Sequence, residues 1–486
     1  MRRLPLVLVL SLGVSTIALY WAELPWISEI PGWFYRYWDK HAEGRALGAA
    51  AIVLATVFGA AALLSLRARP RRRPVRATVL LVAASAMLQL GTSTLISPDE
   101  VYRRHEHGHG KYYRITAERR GRWLDTLLYF DRLAAARELG DYAPSKPPGV
   151  FLPYMAVDAL ARVPGVARAL EPLVDEARRR PRLDPSYAET VALSIVLLPL
   201  LTALLVPAIV RLGHALFEDE AAAWGGAVLW ATVPATLIIQ YHLDGAVYPL
   251  LAVVACGLVA TGARRDVPGW SVAGGVLLML GVYVSFSLLA AIPVGIGCVA
   301  AVAIDRARRG EGARAMRRAA LHLFLIAVAA AATFLVLRFA LRFDLLVRYD
   351  RAIEYHARWK ATVPSELWRA VALLEYALYA GVPLVALWLW RALRGLFEVA
   401  RNTFAPADLA AGGLLVVLLV VSALGGTSEV SRMWMLLNPF LALSAATGLR
   451  ALARNDAGGD GWQAPLAWLA VTQLVVALFM KCFQEW

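Results

Sequence analysis

Long apolar runs, separated by short polar segments, occupy most of the chain. Most of these runs are long enough to cross roughly 30 Å of hydrocarbon as helices, which takes about 20 residues. They are continuous and do not alternate between polar and apolar residues, so they exclude a membrane β-barrel. The pattern predicts an all-α polytopic membrane protein with about 13 transmembrane helices. The runs lie near 5–22, 46–66, 77–96, 190–211, 222–240, 246–262, 269–285, 287–304, 319–341, 369–391, 408–424, 434–450 and 464–481.

Composition and charge support this interpretation and indicate an orientation. Of the 486 residues, 59% are hydrophobic, and a soluble protein of this length would need far more polar residues for its surface. The net charge is +14. Basic clusters such as 67–76 and 305–318 fall on one side when the spans are counted, as cytoplasmic segments do. We therefore expect an inner (plasma) membrane protein whose surroundings are the lipid bilayer. No basic soluble domain is visible, which argues against nucleic-acid binding.

The same counting predicts three extracytoplasmic segments and three regions. The outer segments are 97–188, 342–368 and 425–433. Residues 1–96 form N-terminal transmembrane helices, and 189–486 form the transmembrane core. Within the first outer segment, 123–140 has an amphipathic pattern that ends at a glycine, and 151–163 resembles a second such helix. Helices of this kind lie in the membrane interface.

Polar residues gather at the predicted outer face, whereas the spans contain few ionisable residues. A carrier usually places such residues near the midplane and often shows an inverted repeat, which is not evident in this sequence. The distribution favours an enzyme at the outer interface. A carrier or flippase of lipid-linked precursors, or a non-catalytic membrane assembly subunit, remains the alternative.

The run from Asp125 to Tyr142, DTLLYFDRLAAARELGDY, is followed by KPPG. It resembles the first outer loop of GT-C class glycosyltransferases, above all the protein O-mannosyltransferase-like and lipid A aminoarabinose transferase-like members. The later stretch TSEVSRMWMLLNPFLAL (427–443) resembles an outer turn at which that family meets its lipid donor. The resemblance implies transfer of a sugar from a polyprenyl-phosphate donor to a hydroxyl of a glycan, lipid or protein acceptor, with inversion at the sugar.

Such a reaction requires a carboxylate that accepts the acceptor's proton. The resemblance implies Asp125, although Thr126 stands where the family usually has Glu. The acidic pair Asp99 and Glu100, directly after a span, is the competing candidate; it could also begin a helix or contribute to a metal site. Tyr129 and Lys146 match the family's order, which implies substrate-binding roles.

Further candidates for substrate binding lie at the outer ends of later spans. Arg432 would hold the lipid phosphate, because a guanidinium matches phosphate oxygens in pairs. Glu429 is three residues earlier and would orient Arg432 or the sugar, or form an exposed intrahelical pair with it. His242 and Asp244 would line the site or form a polar turn.

One histidine-rich segment suggests a metal. In HEHGHG the residues His105, His107 and His109 stand at alternate positions. In an extended segment their side chains would point the same way, which suits a divalent metal ion as a possible cofactor. The alternative is a glycine-rich loop that contains several histidines and binds no metal. The three cysteines are far apart and suggest neither a disulfide nor a metal cage.

Overall fold

The computed structural model describes residues 11–16, 42–68, 74–181, 183–217, 219–360, 365–400, 406–425, 430–454 and 462–483. These residues are 89% helical and contain no β-strand, which confirms the all-α prediction. Residues 11–16 are a short helical piece.

Nine helices, most of them short, precede the transmembrane core within the described residues. They are α1 Ala42–Ala68, α2 Pro74–Ser93, α3 Pro98–Glu106, α4 Lys111–Glu118, α5 Trp123–Leu128, α6 Phe130–Ala135, α7 Phe151–Ala161, α8 Pro164–Ala169 and α9 Glu171–Arg178. Short 3₁₀ turns at Gly108–Gly110, Ala143–Ser145, Pro148–Val150 and Pro185–Tyr187 lie among them.

The described part of the core contains fourteen helices. They are α10 Ala188–Phe217, α11 Glu220–Ala231, α12 Pro234–Ile238, α13 Leu243–Arg265, α14 Pro268–Val284, α15 Ala291–Arg306, α16 Gly312–Leu341, α17 Leu345–Lys360, α18 Ser365–Ala380, α19 Val382–Ala400, α20 Pro406–Gly425, α21 Val430–Met433, α22 Asn438–Arg454 and α23 Gln463–Phe483. Further 3₁₀ turns at Phe286–Ala290 and Met435–Leu437 precede α15 and α22.

Six helical runs among the described residues are long and apolar enough to cross a membrane, or seven if one bent pair is counted as a span. The six are Pro74–Ser93, Pro185–Phe217, Leu243–Arg265, Phe286–Leu341, Met435–Ala453 and Gln463–Lys481. Several apolar side chains of the fourth run are exposed, among them Phe324, Val336 and Phe339. An apolar surface of this kind suits lipid better than water, so both features indicate a membrane protein.

Several predicted spans are shorter or more broken than the sequence suggested. The run at 222–240 divides into α11 and α12 because Pro234 lacks an N–H group and restricts the residue before it. The run at 369–391 is bent by 109° between α18 and α19. Gly381 lies at this bend with a φ of 97°, a conformation that favours glycine. Most of the first predicted span, 5–22, lies outside the described residues.

The first predicted outer segment, 97–188, contains seven short helices among its described residues, α3 to α9, where the sequence predicted two. The prediction of a single helix over 123–140 is wrong, because it divides into α5 and α6, which ends at Ala135. Arg137 and Gly140 follow with positive φ, so the chain turns twice before the proline-rich stretch. The prediction of a helix within 151–163 is confirmed by α7, which packs against α4 and α10.

A buried ion pair anchors this segment to the core. Asp158 of α7 is fully buried and binds the Arg120 guanidinium through both carboxylate oxygens, at 2.6 to 3.2 Å. The Thr190 hydroxyl of α10 donates to the same carboxylate at 2.7 Å. Burial alone would raise the pKa of Asp158, but its bonds to Arg120 and Thr190 lower the pKa below the usual value. The carboxylate therefore stays ionised and fixes α7 against α10.

Polar contacts concentrate at the two ends of the long helices. On α13, Asp244 in the first turn pairs with Arg432, whereas Arg264 in the last turn pairs with Asp305.

The expectation that the spans hold few ionisable residues needs correction, because several such residues are buried in them. Glu375 of α18 is buried, and Arg391 of α19 pairs with the buried Asp408 of α20 at 2.7 Å. Lys481, near the end of α23, is fully buried and donates to the Leu237 carbonyl at 2.7 Å.

The glycine of KPPG, Gly149, packs so closely against Tyr283 that no larger residue fits. A methyl group on Gly149 would overlap the carbonyl oxygen and ring of Tyr283. We expect Gly149→Ala to lower the free energy of unfolding by about 1–3 kcal/mol, the usual cost of overpacking. Thermal unfolding in detergent measures this. Gly165→Ala is the matched control, because its added methyl group would meet open space; equal melting temperatures for both variants would contradict the prediction.

Candidate functional site

Four side chains from distant parts of the sequence meet at the N-terminal end of α13. We call them the His–Asp–Arg cluster. Its members are His109, His242, Asp244 and Arg432. One ligand atom of each of the first three lies within 4.8 Å of the others. The Arg432 Nε atom lies 3.2 Å from the Asp244 Oδ2 atom, and both side chains are largely buried. The sequence singled out each residue separately, and the structure brings them together.

His109 reaches the cluster from the 3₁₀ turn Gly108–Gly110 after α3. Its ring stacks on Tyr112 at 5.7 Å and meets the edge of Tyr142 at 5.8 Å. The His242 ring lies 6.2 Å away at a steep angle. The Tyr112 hydroxyl is buried and makes no hydrogen bond with the described residues. One wall of the site is therefore aromatic and contains an unsatisfied polar atom.

His242 and Asp244 owe their positions to the start of α13. His242 caps this helix in an extended conformation, and Asp244 lies in its first turn. The positive end of the helix dipole and the Arg432 guanidinium both stabilise a carboxylate anion at this point. Arg432 belongs to the short helix α21, which leads through the 3₁₀ turn Met435–Leu437 into α22.

Lys146 borders the cluster and is held there through its backbone. The carbonyl groups of Lys146, Ala143 and Pro144 all accept hydrogen bonds from the Arg348 guanidinium of α17, at 2.9 Å for Lys146 and 3.0 Å for Ala143. Arg348 also binds the Asp131 carboxylate at 3.0 Å and is 3% exposed. The second outer segment thus clamps the proline-rich stretch of the first.

Burial and nearby cations keep both histidines of the cluster neutral. Burial lowers the pKa of His109 well below its usual value, and the charges of Lys146 and Arg432 lower it further. Burial is also the main reason why the pKa of His242 is low, with Arg432 and Arg104 adding to it. At neutral pH each imidazole can therefore offer one nitrogen lone pair and one N–H group.

The cluster can bind an anion or a metal ion. Arg432 and Lys146 supply positive charge for a phosphate, and a guanidinium bonds phosphate oxygens in pairs. Two neutral imidazoles and a carboxylate form a common ligand set for divalent metals. Tyr142 is exposed and meets the His109 ring with its edge, so it offers a surface for a ring or a chain, whereas Tyr112 is buried behind His109.

The acidic pair after α2 lies apart from these contacts. The Asp99 carboxylate pairs with Arg180, and its side chain is 75% exposed. Glu100 is buried and binds Arg103 at 2.7 Å and Arg104 at 3.2 Å. Ser97 caps α3 and accepts from the Glu100 N–H, so the alternative role in beginning a helix is confirmed for this pair.

The two residues of the family-like run also lie on the surface of the first predicted outer segment. Asp125 is exposed in the first turn of α5. The Tyr129 ring is partly exposed, with the Arg132 guanidinium 5.0 Å and the Arg342 guanidinium 5.3 Å from its centre. A role for Asp125 as base and for Tyr129 in binding substrate stays a prediction.

The expectation that three histidines of HEHGHG point the same way is wrong, because the segment is not extended. His105 lies in α3, where its Nδ1 atom is 2.8 Å from the Val101 carbonyl and burial lowers its pKa to about 4. His107 follows α3, and its side chain is 57% exposed. Helical geometry separates side chains two positions apart, and His109 alone of the three joins the cluster.

Glu429 and Arg348 are the two remaining residues of interest. Glu429 lies outside the described residues. Arg348 is one of several basic residues in the predicted outer segment 342–368. Its hydrogen bonds to three backbone carbonyl groups could not be predicted, because a backbone partner imposes no residue type on the sequence.

Comparisons with known proteins give no relative from which a role could be transferred. No model of a protein family matches the chain, and no curated protein matches it. The geometry of the cluster and the resemblance of the outer-loop residues are therefore the grounds on which a function is proposed.

Proposed function

We propose that the chain is an integral membrane glycosyltransferase of the GT-C type. It transfers a sugar from a polyprenyl-phosphate donor to an acceptor hydroxyl on the extracytoplasmic side, with inversion and with an aspartate as general base. The observation that carries the proposal is the convergence of Arg432 and Lys146 on one partly buried site beside Asp244, at the end of the long helices.

A lipid phosphate fits this place for two reasons. A phosphate leaving group develops negative charge as the sugar departs, and fixed cations that face it lower the barrier. Arg432 offers a planar guanidinium, and Lys146 a compact ammonium charge. A donor that is anchored by a prenyl chain also presents its phosphate at the membrane surface, which is where helix ends and short turns are found.

The aspartate that accepts the proton is Asp125 in this proposal. Its exposure on α5 suits a base that must meet an acceptor arriving from outside the membrane. Asp244 is less suited, because Arg432 and the N-terminus of α13 both stabilise its anion and so weaken it as a base. The acceptor itself, a glycan, a lipid or a protein, is not distinguished by these residues.

The orientation and the full number of spans belong to the same proposal. The cluster residues come from predicted outer segments and from the start of α13. Predicted cytoplasmic positions pair at the opposite end: Arg264 with Asp305, and Arg450 with Asp219 at 2.9 Å. This separation supports the proposed orientation, with the cluster on the extracytoplasmic side of an inner-membrane protein. The proposed count of about 13 spans, at about 20 residues each, rests on the apolar runs of the sequence.

Identification of the bound lipid tests the proposal. Protein purified in mild detergent is expected to retain a polyprenyl phosphate, detected by mass spectrometry of the extracted lipids. The double variant Lys146→Gln with Arg432→Gln should lose it, because both cations that face the phosphate are removed. Arg394→Gln, an exposed arginine paired with Glu398, is the matched control.

Two outcomes would contradict the proposal. Retention of bulk phospholipids alone would argue against a polyprenyl-phosphate site. A carrier would bind the lipid-linked sugar and return it unchanged, whereas a transferase should release the free polyprenyl phosphate when an acceptor is supplied.

A further inference from the structure

We propose that His109, His242 and Asp244 form a binding site for one divalent transition-metal ion, of which Zn²⁺ is the representative. The ion would take one nitrogen from each imidazole and one oxygen from the carboxylate. This ligand set differs from the three histidines of HEHGHG that the sequence suggested, because only His109 is common to both.

The distances support such a site. Two ligand atoms that are each about 2.1 Å from one ion lie at most about 4.2 Å apart. The three side chains here bring their ligand atoms within 4.8 Å of one another. Small rotations of the side chains would close the difference. His242 and Asp244 are held by the same helix start, so two of the three ligands already have a fixed relation.

The chemistry of the donors narrows the choice of metal. Two imidazoles with one carboxylate suit zinc and the neighbouring first-row metals, whereas magnesium and calcium prefer oxygen ligands alone. Three protein ligands also leave at least one coordination position open, as in catalytic zinc sites.

Asp244 can serve the metal and Arg432 together. Its Oδ2 atom faces the Arg432 Nε atom at 3.2 Å, and a carboxylate has a second oxygen with its own lone pairs. An outer group that bonds a ligating carboxylate fixes the direction of its oxygens, as Arg432 would do here. The Tyr112 ring stacks on His109 at 5.7 Å and supports its imidazole from one side.

The surrounding positive charge has a testable consequence. Lys146 and Arg432 repel a dication, so the metal should bind weakly when the site holds no anion. A phosphate oxygen in the open coordination position would offset this repulsion. Metal and phosphate should therefore bind cooperatively, and each should raise the affinity for the other by the same factor. This coupling rests on the proposed function, whereas the metal site itself does not.

Cobalt titration followed by visible absorption tests the metal site. The full-length protein, purified without a polyhistidine tag and stripped with chelator, should bind one equivalent of Co²⁺ and develop the absorption bands of a coordinated ion. His109→Gln and His242→Gln should each weaken binding at least 10-fold, in line with the loss of a ligand. His107→Gln is the matched control, because it removes an exposed histidine from the same segment and should bind as the original protein does.

The wild-type titration keeps the test decisive even if a variant misfolds. Failure of the original protein to bind Co²⁺ at millimolar concentration would overturn the metal site, and so would equal binding by the wild type and both properly folded histidine variants.

Repeating the Co²⁺ titration in the presence of farnesyl phosphate tests the coupling between metal and phosphate. We expect the Kd for Co²⁺ to fall about 5- to 150-fold, the usual range of coupling between sites. An unchanged Kd would overturn the coupling and leave the metal site in place. Because Co²⁺ binding is read without any sugar transfer, a failure of the glycosyltransferase proposal would be seen separately.

Discussion

Asp125→Asn is expected to lower sugar transfer by about 100- to 10,000-fold, the range that a positioned general base contributes. The amide keeps the shape of the side chain but cannot accept the acceptor's proton. Binding of the polyprenyl-phosphate donor should stay close to that of the original protein, because Asp125 is exposed on α5, whereas the cations proposed to hold the phosphate are Lys146 and Arg432. Turnover and lipid retention, measured on the same preparation, separate these two effects.

Asp99→Asn provides the control that distinguishes the two acidic candidates. The Asp99 carboxylate is 75% exposed and pairs with Arg180, so its loss should change transfer less than about twofold, as for most surface ion pairs. If Asp99→Asn abolishes transfer and Asp125→Asn does not, the acidic pair after α2 is the base. If the original protein transfers sugar and neither change lowers transfer, another residue is the base. If the original protein shows no transfer, the chain is a carrier or a non-catalytic relative.

The fold class followed from the sequence because its signal is local and strong. Continuous apolar runs force the backbone to satisfy its own hydrogen bonds, and helices are the solution for separate spans. Breaks inside the runs were harder to foresee. Pro234 and Gly381 stand at the two breaks, but Pro199 and Pro207 lie inside the continuous helix α10, so a proline in an apolar run does not by itself mark a break.

The candidate site was predictable as separate residues but not as an arrangement. His242, Asp244 and Arg432 stood out because each lies near the outer end of a predicted span, and Lys146 stood out because it matches the order of the family-like motif. That Asp244 faces Arg432 across 188 positions of sequence is a tertiary contact, which spacing cannot show.

The prediction that the three histidines of HEHGHG point the same way was wrong for a different reason. Alternate positions share a face only in extended backbone, and α3 continues through His105 to Glu106. Arg103 and Arg104 lie one turn from Glu100 and bind its carboxylate, which adds support for a helix there. These pairs were visible in the letters PDEVYRRHE. Given more weight than the histidine repeat, they would have predicted a helix at this position.

Arg432→Lys is expected to weaken donor binding about 10- to 100-fold while expression and thermal stability stay normal. The substitution keeps the positive charge but replaces a planar fork of N–H donors with a single ammonium group. A charge-assisted hydrogen bond contributes about 1.5–3 kcal/mol, and each 1.4 kcal/mol corresponds to roughly a tenfold change in Kd. The guanidinium already faces Asp244 through Nε. A lysine at this position would have to divide one ammonium group between the carboxylate and the phosphate.

Titration with a short-chain prenyl phosphate measures the effect, and Arg394→Lys is the matched control. Arg394 also pairs with a carboxylate, Glu398 at 2.7 Å, but it is more exposed and lies in α19 just beyond the predicted span 369–391, on the predicted cytoplasmic side. Its replacement should leave donor binding unchanged. If Arg432→Lys binds the donor as tightly as the original protein, Arg432 serves only as the partner of Asp244, and the phosphate must lie elsewhere. If binding falls in parallel with thermal stability, the loss reflects the buried ion pair and not recognition of the lipid.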